Sequence, residues 1–150
     1  REIPPLNYPW VYQLKKDFPN LTIVINGGIQ TLEECRGHLA HLDGVMLGRE
    51  AYQNPWLLAE VDSTLFGMDK PAESRDDIIA GLLPYVERQL AQGAHLNHIT
   101  RHILGLYQGV PGASMFRRHL SENAYRKEAG AAVLREAFER VKASDSPRAA

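Results

Sequence analysis

The sequence predicts an α/β half followed by an all-helical half, and three observations carry that reading. Two short apolar runs, TIVI at 22–25 and VML at 45–47, each end against glycine, and helix-start chemistry follows each of them. Beyond Ser74 no strand pattern remains. Instead, apolar residues recur at helical spacing in four successive stretches.

Taken in order, Pro9 suits the first turn of a helix through about Phe18, and Pro19-Asn20 stops it. Leu21–Ile25 is a continuous β-rich run, the kind found in strands buried on both faces. After Gly27-Gly28, Thr31-Leu32-Glu33-Glu34 reads as a capping box, so a helix runs to about His41. Asp43-Gly44 makes a turn and Val45–Leu47 a second strand. Asn54-Pro55 then caps a further helix through about Leu65. The order α-β-α-β-α implies neighbouring parallel strands joined by a right-handed crossover.

In the helical half, Ser74 can cap a helix whose inward positions are Ile78, Ile79, Leu82, Leu83, Val86 and Leu90, with Pro84 expected to interrupt and kink it. A second helix is expected over His95–Tyr107, with Ile99, Ile103 and Leu106 inward. GVPG at 109–112 breaks the chain. Ala113, Phe116, Leu120 and Ala124 form a third stripe; Val133, Leu134, Ala137, Phe138 and Val141 form a fourth. Four helices joined by short loops read as an antiparallel bundle. The expected division is 1–66 for the α/β part, 67–73 as linker, 74–142 for the bundle and 143–150 as a disordered tail.

Composition limits the function classes. A chain of 150 residues, 44% apolar, is long enough for its own core, and a formal net charge of −1 offers no global attraction to nucleic acid. Any RNA contact must therefore use a local patch. One cysteine excludes an intrachain disulfide framework and fits a reducing compartment. No apolar run approaches the roughly 20 residues that span a bilayer, and REIPPLNYPW has no apolar signal region. A cytoplasmic protein is the expectation. The start without Met reads as a piece of a longer protein.

Parallel strands that both end in glycine and feed helices have a chemical use. Glycine lets a phosphate approach the backbone, and free N–H groups at the following helix start can bind it. Arg49 adds a fixed charge with a fork of donors suited to phosphate oxygens. Asn26-Gly27-Gly28 and Gly48-Arg49 would then converge on one phosphate, as the loops after the last two strands do in (β/α)8 barrels. The competing reading of the same residues is two ordinary βα turns beside a surface arginine.

NGGIQTLEE at 26–34, followed by DGVMLGREAYQNPW at 43–56, resembles the end of the barrel in tRNA-dihydrouridine synthases. HITRHILGLYQGVPGASMFRRHLSENA at 98–124 resembles the helical RNA-binding domain of that family's A type. The resemblance covers nearly the whole chain. It implies the last two βα units of a TIM-type flavin barrel followed by a helical bundle domain. It also implies that Asn26, Gly27, Gly28, Gly48 and Arg49 hold the phosphate end of FMN. The parent enzyme would use FMN and NADPH to reduce uridine in the tRNA D-loop, with hydride to C6 and a proton from a cysteine to C5. That cysteine lies earlier in the family's barrel, and a whole barrel needs about 250 residues. The chain is accordingly expected to be a C-terminal portion without the proton donor. Two other readings remain: a different FMN barrel oxidoreductase of a small molecule, and a non-catalytic RNA-binding module.

Other candidates are weighed on their surroundings. Cys35, inside EECRG, reads as a small half-buried thiol rather than an acid catalyst. His95, His98 and His102 have metal-like spacing, but HITRH lacks the Glu of the zinc-protease motif and no Cys or carboxylate cluster stands beside it, so no metal is expected. Arg101, Arg117, Arg118, His119, Arg126 and Lys127 make the helical half locally basic, which on its own reads as a solvated face. The resemblance turns Arg101, Ser114, Arg117 and Arg118 into expected RNA contacts, with Arg117 and Arg118 foremost because they follow the GVPG turn; the family's A type often carries Arg at the position of Ser114. Tyr107 and Phe116 could stack on bases, yet they fall on apolar helix faces and read as core.

Overall fold

Asn7 and Pro9 start the first helix as the sequence predicts. In the computed structural model, which describes residues 5–69 and 74–145, the Asn7 side chain accepts from the Trp10 amide and α1 runs Tyr8–Asp17. Two strands follow, β1 (Val24–Asn26) and β2 (Gly44–Met46), with α2 (Leu32–Leu39) between them. They pair in parallel with Val24 opposite Gly44, Ile25 opposite Val45 and Asn26 opposite Met46. The register brings the two strand ends level, so Gly27-Gly28 and Gly48 leave the sheet at the same edge.

The capping box at Thr31 forms in full. The Thr31 hydroxyl accepts from the Glu34 amide, and the Glu34 carboxylate accepts from the amides of Gln30 and Thr31. Those backbone donors hold the Glu34 carboxyl below its ordinary range. Asp43 performs a related task at the other end of the sheet. Its carboxylate accepts from the Ile23 amide at 2.8 Å and pairs with Lys15 at 2.8 Å, tying α1 to the start of both strands.

The expectation of a strand over Leu21–Ile25 buried on both faces is corrected. The strand is three residues long with only Ile25 buried, while Leu21 and Val24 are each 55% exposed. Burial of a strand face depends on its neighbours, and among the described residues β1 has a partner on one edge only. The single helix expected after Asn54-Pro55 is also replaced by more segments. A five-residue α3 (Arg49–Gln53) precedes it, then a 3₁₀ turn at Pro55–Glu60, then α4 (Val61–Phe66). Ile25, Ile29, Leu32, Cys35 and Leu42 are the buried centre of this half.

The helical half contains α5 (Arg75–Ala91), α6 (Leu96–Thr100), α7 (Ala113–Asn123) and α8 (Ala131–Asp145). Ser74 and Asp77 cap α5 reciprocally. The helix continues through Pro84 as one element rather than being interrupted there. The third and fourth stripes fall where the spacing puts them: Phe116, Leu120, Leu134 and Ala137 are buried against Ile79, Val86 and Leu96. Each such large side chain contributes about 1.5–3 kcal/mol by leaving water. Tyr107 and Phe116 are core, with ring centroids 4.8 Å apart.

The helix expected over His95–Tyr107 is corrected as well. Only Leu96–Thr100 is α-helical, and the chain from Arg101 onward descends in tight turns. His102, Ile103, Leu106 and Gln108 each donate to the carbonyl three residues earlier. At the far end α8 runs to Asp145, into the segment expected to be tail. Residues 146–150, and 70–73 of the expected linker, lie outside the described residues.

Candidate functional site

The level strand ends create a cleft of about 400 Å³ lined by Asn26, Gly28, Ile29, Gln30, Met46, Gly48, Arg49, Glu50 and Gln53. Four of the five residues expected to hold a phosphate therefore share one wall. Gly27 is the exception. Its carbonyl accepts from the Tyr8 hydroxyl at 2.6 Å, which anchors the loop to α1. Gly27 and Gly28 take φ of +132° and +66°, where a side chain is strained, so both glycines are required by the turn itself.

The donors available to a ligand differ from those expected. The amides of Gln30, Thr31 and Glu34 at the start of α2 are already taken by the capping box. At Gly48 the residue before α3 has no side chain and offers no cap to its first turn. Arg49, exposed at that turn, brings a guanidinium to the cleft, while Glu50 brings a carboxylate that opposes an anion. The glycine-lined wall, Asn26, Arg49 and a volume within the ordinary range for small ligands suit a phosphate-bearing ligand.

Gln30, Glu50 and Gln53 are cleft residues that sequence reasoning missed. Gln53 carries the most information, because it also lines a second hollow. This groove of about 320 Å³ lies between the two halves and is bordered by Tyr52, Gln53, Arg101, Leu104, Gly105, Gln108 and Arg117. Arg101 and Arg117, far apart in sequence, meet there. Arg118 does not join them: its Nε is held by the Glu122 carboxylate at 2.8 Å, one helical turn on. Ser114 is exposed on the first turn of α7 outside the groove lining.

The spaced histidines serve packing and interdomain contact. His95 and His98 meet edge to face. His102 is turned away to Arg101 and Tyr52. Arg101 Nε donates to His102 Nε2 at 3.0 Å, which places the ring proton on Nδ1, 3.0 Å from the Tyr52 hydroxyl. Among the described residues no group of three or more His, Cys, Asp or Glu is arranged to hold a metal. Cys35 is 1% exposed, and burial pushes its thiol up, away from nucleophile or ready-acid behaviour.

These features define an α/β protein whose two glycine-ended strands open onto one polar cleft, with a helical appendage docked beside it. The chain belongs to the dihydrouridine synthase (Dus) family, whose model matches residues 1–143. It is 57% identical over 141 residues to a tRNA-dihydrouridine(20/20a) synthase of Vibrio cholerae, covering 94% of this chain and 43% of that protein. The synthases of the same name from Salmonella typhi (59% over 141 residues, 94% and 42%) and Yersinia pestis (58% over 144 residues, 96% and 42%) are similarly related. The chain thus spans less than half the length of these curated relatives.

Proposed function

We propose that this chain supplies the cofactor-phosphate grip and the RNA-positioning domain of a flavin-dependent tRNA-dihydrouridine synthase. Residues 1–66 would be the last two βα units of a TIM-type barrel, 67–73 a linker and 74–142 a helical tRNA-binding bundle. The cleft lined by Asn26, Gly28, Gly48 and Arg49 supports the reading, because the parallel register that brings the two strand ends together also places bare glycine backbone beside a guanidinium, the donor set a phosphate needs. FMN, with NADPH as reductant, would supply the hydride that reduces the uracil C5–C6 double bond in the D-loop. This chain's part is to hold the phosphate through Arg49 and the backbone at Gly28 and Gly48, with Gly27 shaping the turn. The whole enzyme would meet its tRNA in the cytoplasm. Among the described residues no helix is long and apolar enough to cross a membrane.

The direct test supplies FMN, NADPH and tRNA lacking dihydrouridine to the full-length protein and to the 150-residue chain. The full-length protein should consume NADPH with matching conversion of uridine to the two-hydrogen-heavier product. The chain alone should not, since buried Cys35 is no proton donor for the uracil. Turnover by the chain alone would place the catalytic acid among these residues, and reduction of a small molecule without RNA would favour a different flavin oxidoreductase.

The groove refines the RNA expectation. Arg101 and Arg117 would contact phosphates of the tRNA backbone, while Arg118 is committed to Glu122. Arg101→Ala with Arg117→Ala should weaken tRNA binding with little dependence on RNA sequence. The slope of log affinity against log salt should become shallower by about 0.7–0.9 for each phosphate left without its arginine. Arg118→Ala should change both far less, because Arg118 lies outside the groove lining and its guanidinium already faces the Glu122 carboxylate. Equal effects for the pair and for Arg118→Ala would return the groove to an ordinary solvated surface.

A further inference from the structure

The segment 49–56 forms part of two sites at once. Arg49, Glu50 and Gln53 line the cofactor cleft, and Tyr52 and Gln53 line the interdomain groove. Three contacts press the same segment against the helical half. The Tyr52 hydroxyl meets His102 Nδ1 at 3.0 Å. The Arg75 guanidinium lies 4.0 Å from the Trp56 ring centroid, while its Nε donates to the Leu106 carbonyl at 2.8 Å. Between them Gly105 packs directly on the Gln53 backbone, and a Cβ at Gly105 would collide with the Gln53 carbonyl and crowd Pro55.

Glycine at 105 is therefore required by approach. Its absent Cβ lets the turn after α6 rest on the end of α3. Any side chain there pushes the two backbones apart by on the order of 1 Å, since close-packed interiors have no slack to absorb it. Gln53 would move with the contact, and Gln53 is cleft wall.

We propose that segment 49–56 couples the two sites, with Gly105 as the positioning residue: seating of the helical half fixes the cofactor cleft, so FMN and tRNA each strengthen binding of the other. The inference rests on the function proposed above. Coupling of this kind is reciprocal, because each ligand must change the affinity of the other by the same factor.

The experiment uses the full-length protein and measures FMN dissociation with and without unmodified tRNA, then tRNA dissociation with and without FMN. In the wild type both ratios should agree at about fivefold, near the lower end of ordinary coupling. Gly105→Ala should bring both ratios close to one. A defect confined to stability would weaken both ligands while leaving the ratio intact. Tyr52→Phe removes only a hydroxyl from an exposed ring and keeps the fold if Gly105→Ala does not; it should lower the ratio at least twofold. Wild-type ratios of one, or a wild-type ratio retained in both variants, would overturn the coupling while the synthase reading stands. Failure of the wild type to bind FMN or tRNA would remove that reading and the coupling with it.

Discussion

Phe116→Ala should lower the stability of the helical half by about 3–5 kcal/mol, the range for emptying a fully buried aromatic site. Phe116 is 0% exposed and its ring packs on Tyr107, with Leu120, Leu134 and Ala137 in the same core. Removal of the ring takes away the transfer energy of the apolar surface and leaves a cavity. The surrounding backbone belongs to helices held at both ends, so the cavity closes only in part. The two halves of the chain have separate cores, and a single unfolding free energy would mix them. Hydrogen exchange resolves them. Amides of α5 and α7 near Val86 and Leu120 should lose protection by about 10²–10⁴-fold, while those of α2 around Cys35 keep theirs. Losses below about tenfold would mean that the site collapses around the missing ring. Losses spread equally over both halves would mean that the two cores melt as one unit.

What is legible in the sequence is what depends on neighbours in sequence. The Thr31–Glu34 box is local chemistry within four residues, and it forms as read. The α7 stripe of Ala113, Phe116, Leu120 and Ala124 is periodicity, and all four are buried. The strand over 21–25 differs from its expectation because its burial depends on what lies alongside, which no local pattern encodes. Arg49–Gln53 gives no helix signal of its own, because Asn54-Pro55 is the stronger start and a helix of one turn has little periodicity to show. The turns after Thr100 are hidden for a different reason. Apolar spacing at Ile99, Ile103 and Leu106 fits a helix, but Gly105 is held on the Gln53 backbone, a contact far away in the chain.

The candidate site divides along the same line. Asn26, Gly28, Gly48 and Arg49 can be found from sequence because strand ends with glycine advertise backbone access. Gly27, expected in the ligand wall with them, serves the turn and the Tyr8 anchor instead. Gln30 and Gln53 enter the cleft only through the folding of the segments that follow each loop. Polar residues of that kind have no sequence signature. Of Arg101, Ser114, Arg117 and Arg118, all expected from the resemblance to contact RNA, Arg101 and Arg117 line the groove, while Arg118 faces Glu122 one turn along the same helix.

Arg49→Ala in the full-length protein should weaken FMN binding about ten- to a hundredfold, the equivalent of roughly 1.5–3 kcal/mol for a hydrogen bond to a charged group. Arg49 reaches the cleft from the first position of α3, beside Gly48, and is exposed. The cleft also contains Glu50, so removal of the guanidinium leaves a wall whose remaining formal charge repels phosphate. Riboflavin has the same ring and arm without the phosphate, and its affinity should hardly change. The difference between the two ligands isolates the phosphate contact from any general damage to the cleft. Arg49→Lys should fall between wild type and alanine, because it keeps the charge and loses the fork of donors. Raising the ionic strength should narrow the gap between wild type and Arg49→Ala for FMN and leave riboflavin untouched, since an exposed charge pair is screened over about 8–10 Å at ordinary salt. Equal losses for FMN and riboflavin would make Arg49 a structural residue of the α3 turn. The phosphate would then have to be held by the backbone at Gly28 and Gly48 alone.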